Sequence, residues 1–376
     1  PDFIFNMSVG YNLEGIKQPK MQTYIDNMID ATKSPLFKQY QTSLKNIIEE
    51  GALLEGTDLE GNEKALKALE TRISANICPS VTISTMHGCP PKEIEAICSY
   101  MLTEKKLNTF VKLNPTLLGY DKVRNILDDI GFEHVGLRRE SFEHDLQYSD
   151  AIAMLHRLVE LAKKQGLGFG VKLTNTLGNI NDGSVLPGEE KYMSGRALLP
   201  ISTTVASLLS EEFDGKLPVS YSGGCTIFSV KDLFDTGIRP ITMATDMLKP
   251  GGYARMARMA ELLDKESTTW AKQDIDPKAV KALSEKAKTA AYSQKAFRGD
   301  YKAKVNEELP MFDCYISPCM EACPIHQNIP DYVGLVGDGH YAQALKVIYE
   351  GNALPNITCN ICDHQCQFHF ARVDYE

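Results

Sequence analysis

Short apolar runs rich in β-branched residues alternate, over the first 265 residues, with longer stretches whose apolar positions recur every three or four residues. The apolar runs predict strands at residues 3–9, 81–86, 109–114, 134–138, 168–174, 218–222 and 240–245. The periodic stretches predict amphipathic helices at residues 92–102, 151–164, 201–211 and 230–235. A repeated alternation of strand and helix is typical of a mostly parallel sheet with helices outside it.

Polar or glycine-rich segments follow most of these strands, as at residues 10–12, 87–90, 174–176 and 222–224. In a (β/α) barrel the loops that follow the strands share one face, and the active site is built there. The fold class we predict is therefore α/β, a TIM-type barrel. A doubly wound open sheet is the alternative, because periodicity does not distinguish the two.

Two segments of the predicted barrel resemble each other, residues 110–119 and 170–178. Each would direct one lysine, Lys112 or Lys172, and then asparagine or threonine groups out of a strand end. Two similar barrel strands that converged on similar residues would explain the repeat equally well.

Composition divides the chain into three parts: a barrel at residues 1–263, a helical connector at 264–309 and a cysteine-rich domain at 310–376. Residues 50–72 are polar with a helical pattern, so we expect an insertion between two strands. The net charge of -9 argues against a nucleic-acid partner. No apolar run approaches a membrane span, and the first residues lack the features of a signal peptide. We expect a cytoplasmic segment of a longer polypeptide.

The ten cysteines are unevenly distributed. Four are scattered through the predicted barrel, whereas six crowd into the last 63 residues: Cys314, Cys319, Cys323, Cys359, Cys362 and Cys366. A disulfide scaffold is disfavoured, since such scaffolds belong to small secreted domains. Thiolates are soft ligands, which suits zinc or an iron–sulfur cluster.

The spacing of these six thiols favours iron. The first group reads Cys-x4-Cys-x3-Cys-Pro from Cys314, and the second reads Cys-x2-Cys-x3-Cys from Cys359. A proline after the last cysteine is typical of [4Fe–4S] ligation, while zinc sites usually present paired knuckles. Six thiols are fewer than the eight that two such clusters need. A second cluster would therefore draw on Asp313, His364, Gln365, Gln367, His369 or later residues.

Four longer stretches carry a family resemblance, residues 3–16, 84–91, 220–224 and 237–246. With them the chain resembles the family of selenate reductase flavin/iron–sulfur subunits, which is similar to dihydropyrimidine dehydrogenase. The cysteine module resembles the glutamate synthase small subunit. The resemblance implies a dihydroorotate-dehydrogenase-like barrel, entered after its first two strands, and then a small, mainly α-helical iron–sulfur domain. FAD- and NAD(P)H-binding domains would follow outside this chain.

The resemblance also implies an FMN site in the barrel. Ser222, Gly223 and Gly224 match a flavin-phosphate loop, where backbone N–H groups meet an anion. Further phosphate-side positions are matched by Ser194, Gly195 and Thr245. Either Lys112 or Lys172 matches the lysine beside the flavin N1–O2 edge. An ordinary tight turn and a snorkelling lysine are the alternatives.

By the same resemblance, Asn12, Asn175 and Thr176 match contacts to a pyrimidine-like ring, and Cys89 matches a catalytic acid. A buried small hydrophobic residue is an equal interpretation of Cys89. The chain departs from the family pattern in the cysteine module, where Phe370 and Met311 stand at cysteine positions and Cys359 at a glycine position. These departures weaken the case for a second cluster.

The function implied is an electron-transferring oxidoreductase subunit. Electrons would pass between NAD(P)H–FAD and a site that reduces a purine- or pyrimidine-type heterocycle, or a molybdenum hydroxylase-like partner. The residues give no support for selenate as the substrate. Two alternatives stay open: a non-catalytic iron–sulfur docking subunit whose barrel lacks flavin, and a zinc-stabilised aldolase or lyase with a Schiff-base lysine.

Overall fold

The structure, a computed structural model, describes residues 5–51, 56, 59–84, 87–181, 188–248, 252–266, 274–298 and 317–369. The chain divides into two compact units. The barrel unit comprises Pro1–Asp246 and Tyr253–Gln294, and the cysteine unit comprises Met247–Gly252 and Lys295–Glu376. None of the helices in these described ranges is long and apolar enough to cross a bilayer.

Five parallel strands form the sheet of the barrel unit: β1 (Met7–Val9), β2 (Ser80–Ser84), β3 (Asn108–Leu113), β4 (Phe169–Leu173) and β7 (Val219–Tyr221). A parallel bridge from Tyr221 to Ile241 adds a sixth position. The strands lie side by side in the order in which the chain makes them. A doubly wound sheet reverses its strand order at a switch point, whereas a barrel does not. The prediction of a TIM-type barrel is confirmed.

Helices surround and extend this sheet. Those of the barrel unit are α1 (Leu13–Ile16), α2 (Pro19–Ile29), α3 (Pro35–Glu50), α4 (Glu63–Arg72), α5 (Pro91–Thr103), α6 (Tyr120–Asp129), α7 (Arg139–Glu143), α8 (Tyr148–Gln165), α9 (Leu199–Glu212), α10 (Val230–Asp235), α11 (Gly252–Glu266) and α12 (Pro277–Thr289). The outward face of the sheet is apolar, with Val111, Leu113, Val171 and Leu173 buried in one core with residues of α5, α8 and α9. This burial is the main force that holds the barrel unit together.

The inward face of the sheet is arranged in rows set by the strand register. One row pairs Phe110 with Gly170, and the next pairs Lys112 with Lys172. Ser84 and Ser220 flank the two lysines on the neighbouring strands. Because alternate residues of a strand point to opposite faces, all of these side chains share the face opposite the apolar core. The polar row lies near the carboxyl ends of the strands, where barrel enzymes build their sites.

Two strand predictions were wrong. Residues 134–138 form no strand, although the carbonyl of Gly136 accepts a hydrogen bond from the N–H of Ile180 at 2.9 Å. Of residues 240–245, only Ile241 pairs, since Pro240 has no N–H to give to a ladder. The structure instead adds an antiparallel hairpin, β5 (Leu177–Ile180) and β6 (Glu190–Met193).

The segment predicted as a connector begins with residues that belong to the barrel unit. Helix α12 packs on α9, with Val280, Leu283 and Ala287 buried against it. The boundary between the units falls at residues 294 and 295. An apolar stripe on α12 accounts for this placement, because an amphipathic helix buries its apolar face wherever a matching surface is available.

The cysteine unit is helical, as predicted. Its helices are α13 (Pro318–Glu321), α14 (Ile329–Gly337), α15 (Tyr341–Gly351) and α16 (Pro355–Ile361). Helices α14 and α15 pack together over Ile329 and Ala344, and Gln327 Nε2 donates to the carbonyl of Val347 at 3.2 Å. Helix α13 packs against a 3-10 turn at Gln365–His369. This contact joins the two groups of cysteines.

Candidate functional site

Four of the six predicted cysteine ligands meet where α13 packs on the 3-10 turn. Burial raises the pKa of Cys366, and the neighbouring Cys323, Cys362 and Cys319 raise it further. Cys319, Cys323, Cys362 and Cys366 therefore lie in one neighbourhood of the cysteine unit, around the contact of α13 with the 3-10 turn. The cysteines are far apart in sequence, and the fold of the cysteine unit brings them together.

Polar hydrogens are directed at the sulfur atoms of this cysteine cluster. The N–H of His364 donates to Cys362 Sγ at 3.3 Å, and His364 takes a left-handed φ of 54° that allows the turn. The N–H of Gln367 bonds to Cys366, which lowers the pKa of that thiol. Cys319 is only 4% exposed, with Ser317 Oγ 2.8 Å from its Sγ. Hydrogen bonds to sulfur and burial are the means by which proteins tune iron–sulfur clusters.

Of the other two predicted ligands, the structure describes only Cys359. Cys359 lies exposed on α16, where Asn352 Nδ2 donates to its Sγ at 3.8 Å. It is close enough to Tyr332 to help raise the pKa of that phenol, after burial and Cys366. Cys314 lies outside the described residues. Among the cysteines in the described ranges, none forms a disulfide.

The donor set of the cysteine cluster fits an iron–sulfur cluster better than a single hard metal ion. It offers four soft thiols and amide hydrogens, which is the ligand chemistry of a cubane. As the side chains are placed, no three Cys, His, Asp or Glu groups in the described part of the chain converge closely enough to hold one metal ion. A cubane is larger than one ion and spreads its four ligands further apart.

The barrel lysines occupy one site, not two. Lys112 and Lys172 are register partners on β3 and β4, and both are half-buried. Burial lowers the pKa of each lysine, and the charge of Lys172 lowers that of Lys112 further. Two cations side by side on the inward face favour a negatively charged ligand between or above them. The sequence repeat left a choice between the lysines, whereas the structure places both on the same surface.

The predicted phosphate-loop residues also come together. Thr245 Oγ1 bonds to Ser194 Oγ at 3.1 Å, and Gly195 and Gly224 touch across the same place. A Cβ on Gly224 would lie 2.1 Å from the carbonyl oxygen of Gly195, and one on Gly223 would lie 2.2 Å from Ser202 Oγ. Packing alone therefore requires both glycines. Their role in holding a phosphate stays a prediction, as does that of Ser222.

Asn175 and Thr176 follow β4 directly and are half-buried. The N–H of Asn175 donates to the carbonyl of Leu113, which ties this segment to the end of β3. The adjacent Thr174 is buried and its Oγ1 lies 2.7 Å from Ser202 Oγ. The segment is thus fixed at the strand ends, and its proposed contact with a ring stays a prediction.

Asn12 and Cys89 line a cleft of about 720 Å³ between α1 and the loop that follows β2. Asn12 Oδ1 accepts from the N–H of Gly15 at 2.8 Å and caps α1, so its Nδ2 group is the part left for a ligand. Burial raises the pKa of Cys89, and the carboxylates of Glu93 and Asp145 raise it further. The Cys89 thiol therefore stays protonated at neutral pH.

A buried carboxylate beside this cleft was not predicted. Asp145 is 5% exposed and accepts hydrogen bonds from Asn114 Nδ2 at 2.9 Å, Thr116 Oγ1 at 2.6 Å and the N–H of Gly88 at 3.2 Å. Its Oδ2 is also 3.3 Å from His87 Nδ1. Asp145 thereby joins the loops after β2 and β3. His87 lies in a polar loop that the sequence indicates, but nothing near Asp145 in the sequence marks it as the partner.

The stability of the barrel unit should depend on Asp145 at acid pH. Burial alone would raise the pKa of Asp145, but hydrogen bonds from His87, Thr116, the N–H of Leu146 and Asn114 outweigh it and lower the pKa from 3.8 to about 2. Because the folded pKa lies below the unfolded one, the carboxylate stabilises the fold above about pH 4 and loses that effect as pH falls towards 2. The shift corresponds to about 2 kcal/mol.

Urea unfolding followed by far-UV circular dichroism tests this expectation. At pH 7 Asp145→Asn should unfold at lower urea than the unmodified protein, and the difference should shrink as the pH falls from about 4 towards 2, where the carboxyl group becomes protonated. A difference that does not change with pH would show that the hydrogen bonds do not depend on the charge.

Two family models match the chain. Residues 1–295 match the model described as oxidoreductase YgfK, N-terminal TIM-barrel domain, and residues 292–371 match dihydropyrimidine dehydrogenase domain II, 4Fe-4S cluster. The second match covers all four residues of the cysteine cluster. A barrel followed by an iron–sulfur domain is thus confirmed.

Similar proteins support the same two parts. The YgfK protein of Escherichia coli (strain K12) is 57% identical over 374 residues, which is 100% of this chain. The chain spans about a third, 36%, of that relative's length. NADPH-Fe(3+) oxidoreductase subunit beta of Geobacter sulfurreducens (strain DL-1 / KN400) is 33% identical over 60 residues, 16% of this chain and 9% of that protein.

Among solved structures, a ligand-free DHODH from Eimeria tenella covers 52% of this chain and 62% of its own, with 17% identity and a TM-score of 0.30. A likeness of that size carries no weight for fold or function.

Proposed function

The chain belongs to the YgfK oxidoreductase family, and on that basis we propose that it is the barrel and iron–sulfur part of an electron-transferring flavoprotein. Electrons would pass between NAD(P)H–FAD domains outside this chain and a site in the barrel that reduces a purine- or pyrimidine-type heterocycle. A molybdenum hydroxylase-like subunit is the alternative electron partner. The observation that carries the proposal is the packing of α13, which holds Cys319, on the 3-10 turn that holds Cys366, so that thiols distant in sequence lie in one small helical unit.

The cysteine unit is suited to moving single electrons. Cys319, Cys323, Cys362 and Cys366 would hold a [4Fe–4S] cluster, which supplies one-electron chemistry when bound. Amide hydrogens at Cys362 and Cys366 would stabilise negative charge on the sulfur atoms and so favour the reduced state. Zinc in the same site would not transfer electrons, since it has no redox chemistry in proteins.

The inward face of the barrel is suited to an anionic ring. A flavin bound there would supply hydride chemistry. Lys112 and Lys172 would stabilise negative charge on it, because both ammonium groups lie in one row at the strand ends. Ser194, Gly195 and Thr245 converge where the phosphate would be held, together with the Ser222–Gly224 loop.

The cleft beside α1 is suited to a flat polar heterocycle. Asn12 retains an amide N–H₂ group in this cleft, and Asn175, which lies at the strand ends, would add a second amide. Amides donate and accept in one plane, which matches the edge of a pyrimidine or purine. The charged residues Glu14, Lys17 and Glu93 line the same cleft, which makes it polar.

A second function, that of a docking subunit without flavin, is favoured by one observation. The contacts of Gly223 and Gly224 with Ser202 and Gly195 account for both glycines without a ligand. In that case the barrel would serve as a scaffold, and the cysteine unit would carry all of the electron transfer.

Iron, acid-labile sulfide and flavin measured on anaerobically purified protein distinguish the two functions. We expect about four iron and four sulfide per cluster, with one FMN per chain. Replacing both Lys112 and Lys172 by methionine should lower FMN retention about 10-fold while iron stays unchanged, since the lysines lie in the barrel unit and the thiols in the cysteine unit.

Lys191→Met and Lys231→Met, at two lysines outside the polar row, provide the matched control and should keep the flavin. Iron without flavin would select the docking subunit. Protein that holds neither iron nor sulfide when kept from oxygen would refute both functions.

A further inference from the structure

The cleft beside α1 contains a histidine–carboxylate pair that the proposed function does not use. His87 lines the cleft with Cys89 and Glu93, and its side chain is 28% exposed. Its Nδ1 lies 3.3 Å from Oδ2 of Asp145, whose side chain is 2% exposed. A buried carboxylate next to an imidazole that reaches a cleft is a frequent arrangement in proton transfer.

Asp145 is held too firmly to act as a flexible surface charge. Besides His87 it accepts from Asn114, Thr116 and the backbone N–H groups of Gly88 and Leu146. Every one of these groups donates, so the carboxylate remains an acceptor. The remaining bond to Nδ1 of His87 must then be donated by the ring, which fixes the tautomer with its hydrogen on Nδ1.

The opposite ring nitrogen is the atom left to act. His87 Nε2 is buried and has no hydrogen-bond partner in the described part of the chain. The ring stacks on Tyr192, with centroids 5.8 Å apart, and this contact limits its rotation. A buried polar atom without a partner is disfavoured, and a ligand in the cleft would supply the partner that Nε2 lacks.

Cys89, the acid that the sequence resemblance implies, is less suited to proton transfer. Burial, Glu93 and Asp145 raise its pKa, so the Cys89 thiol is a weaker acid than an ordinary thiol. An imidazole exchanges protons more readily than such a thiol at neutral pH, and it lies in the same cleft.

We propose that His87 exchanges a proton with a heterocyclic ligand in this cleft, and that Asp145 is its positioning residue. The class of ligand rests on the proposed function. With a dihydropyrimidine, Nε2 takes a proton from the ring carbon next to a carbonyl, so that the C–H bond breaks and its electron pair remains on the ring as an enolate. The same carbon then regains a proton from the Nε2–H group. The exchange needs no oxidant or reductant.

Dihydrouracil in D₂O is the probe that tests this step. The whole chain, purified anaerobically, should catalyse deuterium incorporation at C5, followed by proton NMR. His87→Gln should slow the exchange about 100-fold, which is the usual contribution of a positioned acid or base. Cys89→Ser should slow it less than His87→Gln does.

His156→Gln is the matched control. His156 Nε2 is also 3.3 Å from a carboxylate, Glu212 Oε1, but this exposed pair joins α8 to the end of α9, and neither residue lines the cleft. Exchange should not change in this variant.

A second measurement does not depend on turnover or on a fragile variant. Nitrogen-15 NMR of histidine-labelled protein, with His87 assigned by its absence in His87→Gln, should show the hydrogen on Nδ1. A hydrogen on Nε2 of neutral His87 would overturn the proposal, as would exchange that follows Cys89 instead of His87, or no exchange by the unmodified protein. Failure of the proposed function is seen separately, as missing iron, sulfide and flavin.

Discussion

Cys366→Ala should abolish the iron–sulfur cluster of the cysteine unit. Cys366 interacts with Cys319, Cys323 and Cys362, so it is central to the cysteine cluster. A cubane needs four ligands, and a chain left with three thiols at this place should lose about four iron and four sulfide atoms. Iron and sulfide analysis, with absorbance near 400 nm, measures the loss on protein that is handled without oxygen.

Cys98→Ala provides the matched control. Cys98 is fully buried in α5, far in sequence from the cysteine cluster, and burial raises its pKa well above the ordinary value. It is an inert core residue, so its replacement should leave the iron content unchanged. Circular dichroism checks that both variants are folded. Equal iron in Cys366→Ala and the unmodified protein would remove Cys366 from the ligands.

Cys359→Ala tests whether Cys359, an exposed thiol, is a ligand of the cluster or a residue beside it. Its Sγ lies near Asn352, and it raises the pKa of Tyr332, as Cys366, Cys319 and Cys323 also do. If Cys359 is not a ligand of this cluster, its replacement leaves the iron content as it was. A loss equal to that of Cys366→Ala would place it among the ligands.

The fold and the iron–sulfur domain were predictable from sequence for a common reason. Strand-and-helix alternation and cysteine spacing are both local sequence patterns. The first indicates a parallel sheet with helices outside it, and the second indicates an iron–sulfur site. Residues 92–102 lie within α5, and residues 230–235 form α10 as predicted. Predictions failed where a local pattern was weak, as at residues 134–138, a short segment that Gly136 interrupts.

The histidine–carboxylate pair was not predictable, because its two members meet only through tertiary structure. His87 and Asp145 are separated by 58 residues and come from different loops. Sequence alone gives Asp145 no distinguishing context, since it follows a short helix and precedes Leu146 like many surface aspartates. Only the tertiary structure shows that donors from the ends of two neighbouring strands converge on Asp145 and stabilise its buried charge.

The lysine pair shows an intermediate case. The internal repeat indicated that Lys112 and Lys172 occupy equivalent positions on two strands, but it did not say that the strands are neighbours. The structure shows that β3 and β4 are adjacent and that Lys112 and Lys172 are register partners, so the equivalent positions are also neighbours. The neighbouring inward row depends on register in the same way. Phe110 and Gly170 are register partners, and the Phe110 ring fills the space beside Gly170.

Gly170→Val should strongly destabilise the barrel unit for that reason. A Cβ at Gly170 would lie 2.5 Å from the carbonyl oxygen of Pro218 and 2.7 Å from the ring of Phe110. Valine favours strands, which is worth less than about 1 kcal/mol, but overpacking against a backbone oxygen cannot be relieved by a rotamer change. We expect a loss of about 3 kcal/mol in the free energy of unfolding, measured by urea unfolding.

Gly178→Val isolates the packing effect from the general effect of valine in a strand. Gly178 lies in β5, and the nearest atoms to its Cβ position, on Glu190 and Tyr192, are 3.7 Å away. That distance is ordinary van der Waals contact, so the same substitution should change stability by no more than about 0.5 kcal/mol. If both variants lose stability equally, the inward row of the barrel is not closely packed at Phe110, and the space beneath the lysine pair is larger than the structure shows.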